Sequence, residues 1–258
     1  LIEALVVLMI SYSISNLIRT TIIRNKLSER KIYDMQQSYI YFSANLVESH
    51  EKFTGLHLKR TAIFVEYLAH ELLEEGMYSD VLTPEYIELL KKAAYLHDIG
   101  KISVLDSVLT KPGKYTDEEF DQMKIHCKEG WRLIEENLRG VESDDFLNIA
   151  GDVALCHHER WDGSGYPNKL KGEQIPLSAR IMAVADVTDA LLSKRLYKEA
   201  LGLEETMRIM EAGKGTQFEP CIVDALLSIQ GMVSEVAIKY SDEENLQHTI
   251  TQPHIEEE

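Results

Sequence analysis

His157-His158-Glu159-Arg160-Trp161-Asp162-Gly163-Ser164-Gly165-Tyr166-Pro167 joins two helical patterns. From Trp161 to Pro167 two glycines and a proline crowd seven positions, which a helix does not tolerate, so this part is a loop. Residues 145–158 read as a helix ending in the paired histidines, and a second apolar run, Ser178–Leu192, reads as the helix that follows.

The same helical period extends in both directions. Ile32, Met35, Tyr39, Phe42, Leu46 and Phe53 recur at spacings of three, four and seven and share one stripe, with His57 four residues further along. Leu58, Ala62, Val65 and Leu72 continue a second run after Gly55. Pro84 opens a helix to about Leu96. Thr116 with Glu119 is a capping-box pattern for a helix to about Asn137. Further helices are expected over Leu203–Met210 and after Pro220. No stretch alternates as a strand would, and no repeat is present, so the expected fold class is all-α. The acidic tail from 231, ending in three glutamates, is expected to be partly disordered.

The chain has 258 residues, with 27 Lys+Arg against 43 Asp+Glu and a net charge of −16. That balance argues against binding polymeric nucleic acid, where lysines and arginines must neutralise phosphates. A small anionic ligand remains compatible if cations gather in one pocket. Three cysteines without CxxC spacing make a disulfide framework or a cysteine-rich zinc site a poor fit. Cys127 and Cys156 adjoin histidines but point about 100° away on a helix, as free buried thiols would. Residues 1–18 are mostly apolar with one acid, followed by Arg19, Arg24 and Lys26. They read either as a buried or dimer-forming helix or as the tail of a membrane span with its positive flank inside. No secretory signal is evident, and the initial Leu1 is expected to reflect a fragment or a processed product.

Nine histidines are present, and their placement matters more than their number. His97 and Asp98 are adjacent at a helix end, in Leu96-His97-Asp98-Ile99-Gly100-Lys101, and His57 and His126 lie on amphipathic helices. Asp186 interrupts Ile181-Met182-Ala183-Val184-Ala185-Asp186-Val187, where a buried carboxylate must be paired or bound to a metal. A lone histidine on an apolar face is usually a hydrogen-bonded core residue, and an isolated lysine is usually a solvated charge. Together, seven N and O donors at helix ends and inner faces suit iron or manganese better than a thiolate-bound zinc.

The joint motif of 97–101 and 157–167 resembles the HD-GYP family of bacterial phosphodiesterases. The resemblance runs on through 180–191 (RIMAVADVTDAL), 195–198 (RLYK) and 215–220 (GTQFEP) and covers about 45–230. It implies an HD-domain helical bundle preceded by a long N-terminal helix, with a linker or dimerisation segment over 1–44, a catalytic domain over 45–230 and an acidic tail over 231–258. It implies hydrolysis of cyclic di-GMP to linear pGpG, with the further step to GMP left open, by a hydroxide bridging two divalent metals, iron first and manganese as the alternative. The implied metal ligands are His57, His97, Asp98, His126, His157, His158 and Asp186. Asp98 bridges, His57, His97 and Asp186 complete one position, and His126, His157 and His158 the other. Asp98 and Lys101 are the implied catalytic pair. Lys101, Tyr166, Arg195 and Lys198 are implied to bind the cyclic dinucleotide. Asp162 is expected to shape the loop, and Asp189 to be either a support beside the ligands or a surface acid.

One departure bears on metal number. Members of the family with a third metal carry a glutamate four residues before the first histidine, where this chain has Phe53, so two metals are expected. Other functions stay open at this level: a hydrolase of another cyclic dinucleotide such as cyclic GMP-AMP, or a cyclic dinucleotide sensor with little catalysis. The family's habit of joining sensory domains makes an upstream sensory or membrane domain, or a homodimer, the expected partner of residues 1–44. The expected location is cytoplasmic, tethered to the inner membrane face if residues 1–18 end a span.

Overall fold

The computed structural model describes residues 2–49, 56–193 and 200–251, and among them it is built of helices joined by turns, with no strand longer than an isolated bridge. The chain forms two compact units, Leu1–Phe42 and Ser43–Glu258.

The first unit is the greater part of α1 (Ile2–Glu48), one unbroken helix, as the expected long N-terminal helix requires. Ile10, Leu17, Ile18, Ile32, Met35, Tyr39 and Phe42 are all exposed. Of the two forms of the expected helix over 1–18, buried or dimer-forming, the exposure of Ile10, Leu17 and Ile18 in the single chain suits the second. No single helix among the described residues is long and apolar enough to cross a membrane.

In the second unit the centre is α2 (Leu56–Glu74), in which Ala62, Phe64, Val65, Leu68, Ala69 and Leu72 have no exposed surface. A helix buried on almost every side needs neighbours all round. These are α3 (Pro84–Ala94), α7 (Leu177–Leu192), α9 (Pro220–Ser228) and α10 (Gln230–Thr251). The remaining helices are α4 (Asp106–Leu109), α5 (Asp117–Leu138), α6 (Asp144–Cys156) and α8 (Leu203–Ala212), with α5 packed on α6.

Helix starts follow local chemistry. Thr83 Oγ1 accepts the Tyr86 N–H at 3.1 Å ahead of Pro84. The expected capping box is present: Thr116 Oγ1 accepts from Glu119 N, and a Glu119 carboxylate oxygen accepts from Thr116 N at 2.7 Å. In the tail from 231, expected to be partly disordered, a helix runs to Thr251, and the rest of the tail lies outside the described residues. Val233 and Val236, three residues apart, are buried, so apolar packing holds its first turns despite the acidic composition.

Candidate metal centre

The turn between α3 and α5 sets the geometry. α3 stops at Ala94, and a 3-10 turn over Ile99–Ser103 carries the chain directly against α5. Gly100 permits this approach. A Cβ there would lie 2.0 Å from His126 O and 2.4 Å from Gly130 N, both backbone atoms that cannot rotate away. His97 and Asp98 are thereby set beside His126 of α5. His157, capping the C-terminus of α6, brings itself and His158 in from a third side.

The histidines are oriented alike. His97 Nδ1 lies 2.9 Å from Ala94 O, His126 Nδ1 2.6 Å from Met123 O, and His157 Nδ1 2.9 Å from Val153 O. A carbonyl only accepts, so each Nδ1 carries a proton and each Nε2 is turned to the interior. His57 Nδ1 instead meets Asp189 Oδ2 at 2.6 Å. Pinning one ring nitrogen on a carbonyl or carboxylate is how proteins orient imidazoles toward metals.

The Nε2 atoms of His97, His126 and His157 converge on Asp98, which is 9% exposed. Its Oδ1 lies 3.4 Å from His126 Nε2 and 3.5 Å from His157 Nε2, while its Oδ2 lies 3.2 Å from His97 Nε2. The two oxygens of one carboxylate therefore face two different histidine groups. Asp98, His126, His157 and His158 each offer a donor atom within 4.8 Å of one another. On the other side Asp186 Oδ1 lies 3.7 Å from His57 Nε2 and 3.9 Å from His97 Nε2. His97 Nε2, His157 Nε2 and Asp98 Oδ1 are buried without a hydrogen-bond partner. Buried orphan donors and acceptors at such spacing are costly unless a cation collects them, so these residues fit a pair of divalent ions.

The electrostatics divide in the same way. For His97, burial disfavours the imidazolium but Asp98 and Asp186 outweigh it, raising the pKa to about 9. The carboxylates thus demand positive charge at this point, as a proton or as a metal. His126 is depressed to about 4, by burial first, and His158 falls well below its ordinary value through burial and the neighbouring His157. Both stay neutral at pH 7 with lone pairs available. Burial would raise Asp98, yet Lys101 and His97 hold it well below the usual carboxylate range. Lys101 Nζ stands 2.8 Å from Asp98 Oδ2, a cation already beside the carboxylate.

Around this centre lie residues with supporting contacts. Asp189 is buried: its oxygens accept from Arg60 Nε at 2.6 Å and Arg60 Nη2 at 3.1 Å, besides the His57 contact. Of its two readings, the structure gives support beside the histidines. Asp162 accepts from Ser164 N at 2.8 Å and shapes its loop as expected. Glu159, 3% exposed, accepts from Asn168 N at 2.6 Å and Leu170 N at 3.1 Å, fixing the far arm of the loop. Gly165 packs against the same backbone, since a Cβ would lie 2.4 Å from Arg160 N. This places the Tyr166 ring 4.8 Å from the His158 ring and 5.7 Å from the exposed Phe120 ring, between centroids. Phe53, Arg195 and Lys198 lie outside the described residues. The sequence reading did not single out Glu48, Arg60 or Glu159. An acid or base of this kind has no sequence signal apart from its distance from a motif, though Glu159 sits inside one.

The HD domain family matches residues 43–222. A cyclic di-GMP phosphodiesterase of Vibrio cholerae is 47% identical over 197 residues, 76% of this chain and 40% of that protein. A 3'3'-cGAMP-specific phosphodiesterase of the same organism is 39% identical over 194 residues, 75% of this chain and 35% of that protein. The chain therefore spans less than half the length of these curated relatives. Among solved structures, an HDG"Y"P protein from Bdellovibrio bacteriovorus shares the fold, with a TM-score of 0.51, 18% identity, and coverage of 76% of this chain and 63% of that one.

Proposed function

The chain belongs to the HD domain family, in its HD-GYP branch, and on that footing we propose that it hydrolyses cyclic di-GMP to pGpG at a dinuclear metal centre. The observation that carries this reading is Asp98, whose two oxygens face two separate sets of imidazole nitrogens at 3.2–3.5 Å. His57, His97 and Asp186 would hold one ion and His126, His157 and His158 the other, with Asp98 shared by both. Iron is the proposed metal, with manganese as the alternative for an all N and O donor set. When bound, the pair supplies an activated water at neutral pH and offsets the phosphodiester charge.

The chain's own residues do the rest. The Nδ1 contacts hold the rings of His57, His97, His126 and His157 in one direction, which leaves little side-chain ordering for the reaction step. Lys101 donates to a non-bridging phosphate oxygen from its place beside Asp98. Tyr166 forms a wall of the substrate cleft against His158, and Arg195 and Lys198 bind the dinucleotide. With a cyclic dinucleotide as its substrate, the proposed location of the catalytic unit is the cytoplasm. Along α1, Ile32, Met35, Tyr39, Phe42 and Leu46 follow the alternating three and four spacing of a coiled-coil seam and are exposed, which supports pairing with a second copy.

Purified chain loaded with iron or manganese under anaerobic conditions should convert cyclic di-GMP to pGpG, and His97→Ala should remove that turnover by at least about a thousandfold. A fully loaded protein that releases no product would overturn the reading. Faster turnover of cyclic GMP-AMP in direct competition would move the substrate assignment to that of the 39% identical relative.

A further inference from the structure

Glu48 ends α1, nine residues before His57, at the start of the compact second unit. Its surroundings are unusual for a helix-terminal acid. The residue is 2% exposed, and its Oε2 is buried with no hydrogen-bond partner. A carboxylate taken from water without a partner costs several kcal/mol, so the position demands a cation or a proton.

The side chain points at a defined place. Glu48, His57 and His97 each offer a donor atom, and the three atoms lie within 4.8 Å of one another. His97 Nε2 is likewise buried and unpartnered there. Donors around one six-coordinate ion with bonds of about 2.1 Å lie about 3–4.2 Å apart, so a small contraction brings all three onto a single metal. Two imidazoles and one carboxylate on one face of an ion form a recognised binding set for ferrous and similar metals.

We infer that Glu48 is a direct ligand of the metal held by His57 and His97, a role that rests on the dinuclear reading above. The centre is then asymmetric. One position draws on Glu48, Asp98 and Asp186 with two imidazoles; the other draws on Asp98 with three. Carboxylate-rich sites favour manganese over softer metals, so the two positions differ in affinity. Position 53 carries no carboxylate in this chain, and Glu48 supplies one from nine residues before His57.

The test is manganese titration of metal-free full-length chain, followed by electron paramagnetic resonance and bound-metal analysis, with Glu48→Ala, Glu48→His and the unaltered chain side by side. The unaltered chain should take up two ions. Glu48→Ala should retain one and bind the second at least a hundredfold more weakly. Glu48→His, which restores a donor but not a charge, should recover the second ion and add a histidine nitrogen coupling in the electron spin echo. A Glu48→Ala protein that binds two ions with unchanged affinity overturns the inference, as does a Glu48→His protein that recovers the second ion with no added nitrogen coupling. If Glu48→Ala is unfolded by circular dichroism, Glu48→His alone decides, through the presence or absence of that coupling. Failure of the unaltered chain to bind two ions would instead refute the dinuclear reading, so the two failures are distinguishable.

Discussion

Asp189 and Arg60 show how much of the centre depends on residues that touch no metal. Their bidentate pair is almost wholly buried, with side chains 1% and 6% exposed, and Asp189 also fixes His57 through Nδ1. Removing one member leaves the other charged in a dry place, which outweighs anything the pair contributes when intact. Arg60→Ala should cost about 3–5 kcal/mol, a fall in Tm of roughly 10 °C for a domain of this size, read by calorimetry. Arg60→Lys should recover only part, because a lysine cannot donate along both edges of the carboxylate. An Arg60→Ala protein of unchanged Tm would show that the pair is not buried as described. At this scale the sequence was uneven. His57, His97, His126, His157, His158 and Asp186 stood out because such groups are rare on apolar helix faces. Glu48 did not, because an acid near a helix end is ordinarily a solvated charge, and only tertiary packing makes it otherwise.

The α3–α5 connection does the positioning among the elements. Its 3-10 turn presses on α5 closely enough to exclude a methyl group at Gly100. Gly100→Ala must therefore move backbone from backbone, shifting Asp98 relative to His126. We expect loss of at least 2–3 kcal/mol, of about the size of a severe core overpacking, and weakened metal binding in the folded remainder. Gly231→Ala is the matched comparison: a Cβ there meets nothing within 4 Å, and on helix α10 the change should be neutral or stabilising within about 1 kcal/mol. Equal denaturation midpoints for the two variants would contradict this. Most helices were legible because their caps are local: Thr83 with Pro84 and Thr116 with Glu119 act within four residues. The 3-10 turns and the short α4 were not, since they follow from what the chain packs against. The ordered start of α10 was hidden for the same reason, its acidic composition masking the buried Val233 and Val236.

Across the whole molecule, the eight residues proposed to hold metal, Glu48 included, lie in Ser43–Glu258, and the described part of the first unit is helix alone. Metal binding and self-association should therefore separate. A chain beginning at Ser43 should keep its metal content while sedimenting as a monomer, against a dimer for the full chain; loss of metal with residues 1–42 would contradict the division. The measurement that bears most directly on the shared carboxylate is the electron paramagnetic resonance spectrum of the chain loaded with manganese. Two ions joined through Asp98 should give the multiline pattern of an exchange-coupled pair, collapsing to isolated-ion signals in Asp98→Ala. Two full equivalents of bound manganese with only isolated-ion signals in the unaltered chain would contradict a bridged centre.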